Sequence, residues 1–336
     1  MESVFTEMDF MVRISQVFFV ALILFTSCKK SDEEAEEVNP YYRQEMRNFV
    51  IGISQAAKED HPGFLIIPQN GIELVTIDGE ADGAKAMDYL NAIDANGQED
   101  LLYGYNNDNE ATLGEERDYI IDFLNVSRNS GNKILVTDYC STPLKVDDSY
   151  AVNQSRNYVS FAANRRELDH IPNYPNPIYA ENDDDILAMT QVKNFLYLIN
   201  PANFTSKSDF IDAVTATNYD LVIMDLFSAD NLAFTAGEIE ELRIKANGGS
   251  RLVVCYMSIG EAEDYRYYWN PLWNSAKPEW LDAVNPDWPG NYKVKYWEPA
   301  WQDIIYGNED SYLSKILNAG FDGVYLDIID GFEYYD

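Results

Sequence analysis

Short apolar runs rich in Val, Ile, Leu and Tyr recur along the chain, separated by longer stretches in which apolar residues return every three or four positions. This alternation predicts successive βα units, with buried strands inside and amphipathic helices outside. Eight runs read as strands: 64–67 (FLII), 89–93 (YLNAI), 133–139 (KILVTDY), 195–199 (FLYLI), 221–225 (LVIMD), 251–257 (RLVVCYM), 292–297 (YKVKYW) and 323–327 (GVYLD). Helices are predicted over 41–58, over 112–130 between Thr112 as cap and Gly131 as terminator, and over 208–217, 235–246 and 301–319. The segment 141–193 is rich in Asn, Pro and Asp and too long for an ordinary βα loop, so it reads as a linker-like insertion with one helix near 153–168. The expected fold is α/β, a single (β/α)8 TIM barrel of about 250 residues. Closure of such a barrel requires a helix between the last strand and the first, and the helix over 41–58 fills that place if the circular order is cut there.

The first residues change the picture only at the amino terminus. Arg13, the apolar run 17–25 and the small pair Thr26-Ser27 before Cys28 read as a signal peptide, too short to span a bilayer. FTSC resembles a lipobox, which would make Cys28 a lipidated residue; a plain secretory signal is the alternative. The domain reading is a leader over 1–28, an acidic tether over 29–40 (KKSDEEAEEVNP) and the barrel over 41–336. The protein is expected to be exported to the outer membrane or cell surface, facing the outside or the periplasm, monomeric, and membrane-attached only through its lipid.

A net charge of −33 argues against nucleic acid as a partner and suits a neutral or cationic ligand, although acidity can simply serve solubility. Two histidines, His61 and His170, cannot build a Cys/His metal cluster, and neither a phosphate-cradling glycine loop nor a serine nucleophile elbow is present in the sequence. No metal and no cofactor are expected. Cys140 follows a predicted strand and Cys255 lies near the end of one; both read as buried thiols, with a disulfide left open.

In barrels the working residues stand where strands end and βα loops begin. Those positions hold Gln69 and Asn70, Glu99, Asp138 and Tyr139, Asn200, Asp225, Tyr256 with Glu261, Trp297 with Glu298, and Asp327 with Asp330. One Asp after a strand is usually a cap or turn residue. Carboxylates from several strand ends aimed at one mouth would instead raise one another's pKa, giving a protonated acid beside an ionised one, and glycoside hydrolysis needs that pair. The aromatic content, 14% of residues with 24 Tyr and 6 Trp, suits a sugar cleft, and YRYYWNPLWNSAKPEW after Glu261 reads as a cleft wall, although much of it must be core.

SIGEAEDYR (258–266), KYWEP (295–299) and FDGVYLDIIDGFEYYD (321–336), with FLIIPQNG and QEDLLYGY, resemble glycoside hydrolase family 114, the endo-α-1,4-polygalactosaminidase-like barrels, over nearly all of 41–336. In that family the strand similar to NFLYLINP comes first and the one similar to KILVTDYC last, so the resemblance implies a circular permutation with 141–193 as the join. It implies hydrolysis of a polysaccharide, an α-1,4-linked galactosamine or N-acetylgalactosamine polymer, with Asp327 as nucleophile or stabiliser and Glu99 as general acid/base. Asp225, Glu261, Asp330, Asp138, Tyr139, Gln69, Asn70, Tyr256 and Trp297 would hold sugar or tune the pair, and Arg266 would orient an acid. Action on a different glycan, or glycan capture without turnover, are the alternatives.

Overall fold

The structure, a computed structural model, describes residues 40–336; the expected leader, Cys28 and the tether lie outside the described residues. The elements are α1 (Pro40–Asp60), β1 (Leu65–Pro68), α2 (Met87–Ala92), β2 (Ala95–Glu99), α3 (Gly114–Arg128), β3 (Lys133–Tyr139), α4 (Pro143–Ser155) and β4 (Val159–Ala163). They continue with β5 (Phe195–Leu198), α5 (Lys207–Thr215), β6 (Leu221–Met224), α6 (Ala236–Leu242), β7 (Leu252–Ser258) and β8 (Glu261–Glu263). The last are β9 (Leu281–Val284), β10 (Asn291–Val294), α7 (Pro299–Gln302), α8 (Tyr312–Ala319) and β11 (Gly323–Asp327).

Two sheets are wholly parallel, one ordered β1-β11-β7-β6-β5 and the other β2-β3-β4. A parallel bridge between Gln69 and Gly97 joins β1 to β2, and β4 lies beside β5. FLYL, LVIM and LVVCYMS are buried at every position, as strands covered on both faces must be. Outside them, α1 buries Met46, Phe49, Val50, Ile53 and Ala57, one stripe at helical spacing. It packs against α2 on one side and α8 on the other, the place expected for the helix over 41–58.

Four elements depart from expectation. The run 89–93 is not a strand but the end of α2, and the strand follows as ANGQE, whose polar Asn96 and Gln98 are buried and whose Gly97 makes room for Tyr325. The run 292–297 is not a barrel strand either. NYKV forms β10 of a small antiparallel sheet ordered β8-β10-β9, inserted after β7, and only its last residue is fully buried. The eighth parallel strand is β4, VSFAA, lying inside the segment expected to be linker and helix. The predicted helix over 301–319 is broken: α7 passes into a π-turn over Asp303–Gly307, and α8 starts at the Ser311 cap and stops at Gly320 in the left-handed region. Cys140 and Cys255 are both buried free thiols. Among the described residues no helix is long and apolar enough to cross a membrane.

Candidate active site

Strands β2, β1, β11 and β7 run side by side, and their carboxyl ends carry the candidate site. Pro68 is level with Leu326, and Asp327 with Ser258, so Gln69 and Asp327 emerge at the same height. Each of the first three strands ends in the same way: the residue directly after the functional side chain is left-handed, Asn70 at φ 60°, Asp100 at φ 59° and Ile328 at φ 58°. Asn and Asp tolerate that region, but a β-branched Ile does not, so strain of about 1–3 kcal/mol is held next to Asp327. The turn passes over Gly260, where a Cβ would lie 2.1 Å from the Ile328 carbonyl oxygen.

Glu99 and Asp327, 228 positions apart in sequence, meet on one amide. Gln69 Nε2 donates to Glu99 Oε2 at 2.8 Å and to Asp327 Oδ1 at 2.9 Å. Because both bonds start from one nitrogen, the two carboxylate oxygens are at most about 5.7 Å apart. Asn70 Nδ2 donates to Glu99 Oε2 at 3.2 Å, the Tyr139 hydroxyl donates to Glu99 Oε1, and the Tyr256 hydroxyl donates to Asp327 Oδ2 at 2.6 Å. Burial pushes Glu99 up to about 7, assisted by the charge on Asp327 and opposed by the bond from Tyr139. Asp327 is also raised by burial, against the hydrogen bonds from Tyr256 and the Ile328 amide. Asp330, pushed up to about 7 by burial and by Asp327, faces the same opening.

A cleft of about 530 Å³ leads away from Glu99 and Asp330, bounded by Glu73, Tyr105, Glu115, Glu116, Tyr119 and Glu333. None of its lining residues is Lys or Arg. Tyr105 and Tyr119 are exposed aromatic rings on its walls.

Two expected ligand contacts are corrected. Asp138 is fully buried and its oxygens are occupied: Leu102 N (2.7 Å) and Tyr103 N (3.2 Å) donate to Oδ1, Ser149 Oγ (2.6 Å) and Asn153 Nδ2 (3.0 Å) to Oδ2. It anchors the loop after Glu99 to α4 rather than holding sugar. Glu261 is also fully buried, bound by Asn285 at 2.8 Å, Asn291 at 3.0 Å and Lys293 at 2.7 Å, and it fastens the small sheet together.

Asp225 stands at the end of β6 but is taken by Arg266, 2.6 Å away, which also binds Glu263 at 2.6 Å. Arg266 thus orients acids, though not Glu261. Trp297 is half-buried against Tyr42 and Tyr335, ring centroids 5.0 and 4.7 Å away. The Trp-rich stretch after Glu261 is mostly packing: Trp273 meets Trp280 edge-on, and Trp280 lies against the buried Trp301.

Sequence reasoning missed Tyr197, whose hydroxyl donates to Gln69 Oε1 at 3.0 Å, and Arg166. Arg166 grips both oxygens of Asp100 (2.9 and 3.2 Å) and sits 3.9 Å from the centroid of the Tyr139 ring. A signal existed for Arg166: Arg165-Arg166 is a basic pair in a strongly acidic chain, just after VSFAA.

Residues 189–336 match the model of glycoside-hydrolase family GH114. A stretch of 128 residues is 46% identical to an uncharacterized protein of Methanocaldococcus jannaschii, covering 37% of this chain and 34% of that one. Another of 122 residues is 40% identical to an uncharacterized protein of Thermotoga maritima, covering 36% of each chain. A third, of 126 residues, is 40% identical to an uncharacterized protein of Deinococcus radiodurans and covers 38% of each. These matches span little more than a third of the relatives' length. The family match includes Asp327, Tyr197 and Tyr256 but not Glu99, Gln69 or Tyr139, a shorter span than the expected 41–336.

Proposed function

Through residues 189–336 the chain belongs to glycoside hydrolase family GH114, and from that premise we propose that it cleaves a polysaccharide by a two-carboxylate, retaining mechanism, with Asp327 as nucleophile and Glu99 as general acid/base. The observation that carries this reading is the Gln69 amide bound to both carboxylates. Two of their oxygens lie at most about 5.7 Å apart, which supports the closer carboxyl spacing of retaining enzymes, roughly 5–5.5 Å, over the about 6.5–9.5 Å of inverting ones.

In the first step Glu99 gives its proton to the glycosidic oxygen as the bond from that oxygen to the anomeric carbon breaks, and Asp327 forms a bond to that carbon. In the second, water attacks the anomeric carbon, Glu99 takes the water's proton, and Asp327 leaves as a carboxylate. A Glu99 pKa of about 7 lets one group serve as acid and then as base near neutrality. The acid-lined cleft with its two exposed tyrosines supports a substrate of positively charged sugars, an α-1,4-linked galactosamine polymer at least partly free of N-acetyl groups.

The same reading takes the eight parallel strands as one closed, circularly permuted (β/α)8 barrel. The Gln69–Gly97 bridge, the apposition of β4 and β5, and a family match that starts only at residue 189 support it.

Galactosamine oligomers incubated with the wild type should release products whose new reducing end first appears in the substrate's own anomeric form by proton NMR. Asp327→Asn and Glu99→Gln should each lower kcat by about 10²–10⁴-fold. Wild-type rates in Asp327→Asn would remove that residue from the mechanism, and first products of opposite anomeric form would exclude retention.

A further inference from the structure

We propose that Gln69, locked in one orientation by Tyr197, is the shared hydrogen-bond donor of the carboxyl pair, giving one N–H to each carboxylate so that it serves whichever one carries the charge. This rests on the reading of Glu99 and Asp327 as the working pair. In the resting enzyme the charge sits on Asp327, and after attack, with Asp327 esterified, it sits on Glu99. A donor bound to only one of them would stabilise one state at the expense of the other. Gln69 Nε2 reaches both, at 2.8 and 2.9 Å, and needs no rearrangement as the charge moves.

A primary amide can supply those two hydrogens only if its oxygen points away. Turned over, Gln69 would set a carbonyl oxygen against two carboxylates. Tyr197 fixes the choice: its hydroxyl, fully buried in β5, donates to Gln69 Oε1 at 3.0 Å. The Tyr197 ring is itself held edge-on against Tyr325 at 5.1 Å, and the backbone N–H of Gln69 donates to the Leu326 carbonyl at 2.8 Å. Gln69 is only 2% exposed, so water cannot take over either role.

The other groups bearing on the pair act on one member or act only through charge. Tyr139 and Asn70 donate to Glu99, and Tyr256 donates to Asp327. Asp100 and Asp330 bear on Glu99 or share its opening, and Glu261 and Glu263 bear on Asp327. Lys293 is held by Glu261, and Arg266 by Asp225 and Glu263. Tyr197 is therefore a positioning residue that acts through Gln69.

The test compares wild type, Tyr197→Phe and Gln69→Leu in two measurements: carboxyl titration by carbon-13 NMR on the full chain with labelled Asp and Glu, and the pH profile of kcat and KM on a galactosamine oligomer. Losing the oriented donor removes a stabiliser of the anions, so at least one of the pair's two apparent pKa values should rise by about one unit in each variant. The acid limb of kcat should move the same way, with kcat down about 10–100-fold and KM little changed. Gln69→Leu gives the same readout without relying on amide rotation, should Tyr197→Phe fold poorly. Titrations that coincide with wild type in a folded variant overturn the proposal. Shifted titrations in a protein that hydrolyses no glycan support the donor role and defeat the hydrolase reading instead.

Discussion

Glu99 is where single-residue chemistry and stability pull in opposite directions. As the proposed acid it must hold its proton, so kcat/KM should fall as pH rises through about 7, the value to which burial and Asp327 push it. Asp327 must be ionised, and because its pKa is also raised the acid limb should lie above the ordinary aspartate value. A pH–rate profile checks both limbs. The same shift affects folding. A carboxyl whose folded pKa lies above its unfolded value favours the folded state while protonated, and that contribution is present below about 4.5 and lost as pH rises through about 7. Glu99→Gln has no such loss. It should therefore be more stable than wild type at pH 8, by on the order of 1–3 kcal/mol, with the gap closing towards pH 5, as denaturant melts at the two pH values would report.

Among the elements, the lower end of the parallel sheets holds a fully buried ion pair. Lys245, between α6 and β7, binds Asp220 before β6 at 2.7 Å with both side chains fully buried, and also donates to the carbonyls of Asn182 and Asp184. This fastens the connection between β4 and β5 beneath the strands. Lys245→Met would leave a buried carboxylate without its cation and should cost about 3–5 kcal/mol in chemical denaturation, with kcat unchanged at temperatures where the variant stays folded. The elements also show which strands the sequence made legible. LVIM and GVYL could be read because a doubly covered strand is apolar throughout, whereas YKVKYW alternates, and that pattern belongs to a ribbon with one face open. VSFAA and ANGQE carry too little apolar bulk to register. Gly97 in particular is required by Tyr325, whose hydroxyl lies 2.0 Å from where a Cβ would stand.

At the scale of the molecule, charge is the dominant fact. A net charge of −33 and a cleft without a lining cation should draw in a cationic chain and hold it weakly at high salt. KM for a galactosamine oligomer is expected to rise steeply with ionic strength while kcat changes little. Replacing Glu115 and Glu116 together with Gln should raise KM at low salt and flatten that dependence. A salt-independent KM in the wild type would show that the acidity of the cleft plays no part in capture.

Local pattern determined what depends on neighbours in the chain: the βα alternation, the doubly covered strands, and the placing of Gln69 and Asp327 at strand ends. The sequence alone could not tell Asp138 or Glu261 from a ligand-facing acid, since each is an acid at or just beyond a strand end. Tertiary structure decided that, by delivering Ser149 and Asn153 to Asp138, and Asn285, Asn291 and Lys293 to Glu261. It also brought Tyr197 to Gln69 across 128 positions. The physical reason is that a carboxylate's role depends on which donors reach it and whether water still can, and those donors come from strands and loops that become neighbours only when the sheets assemble.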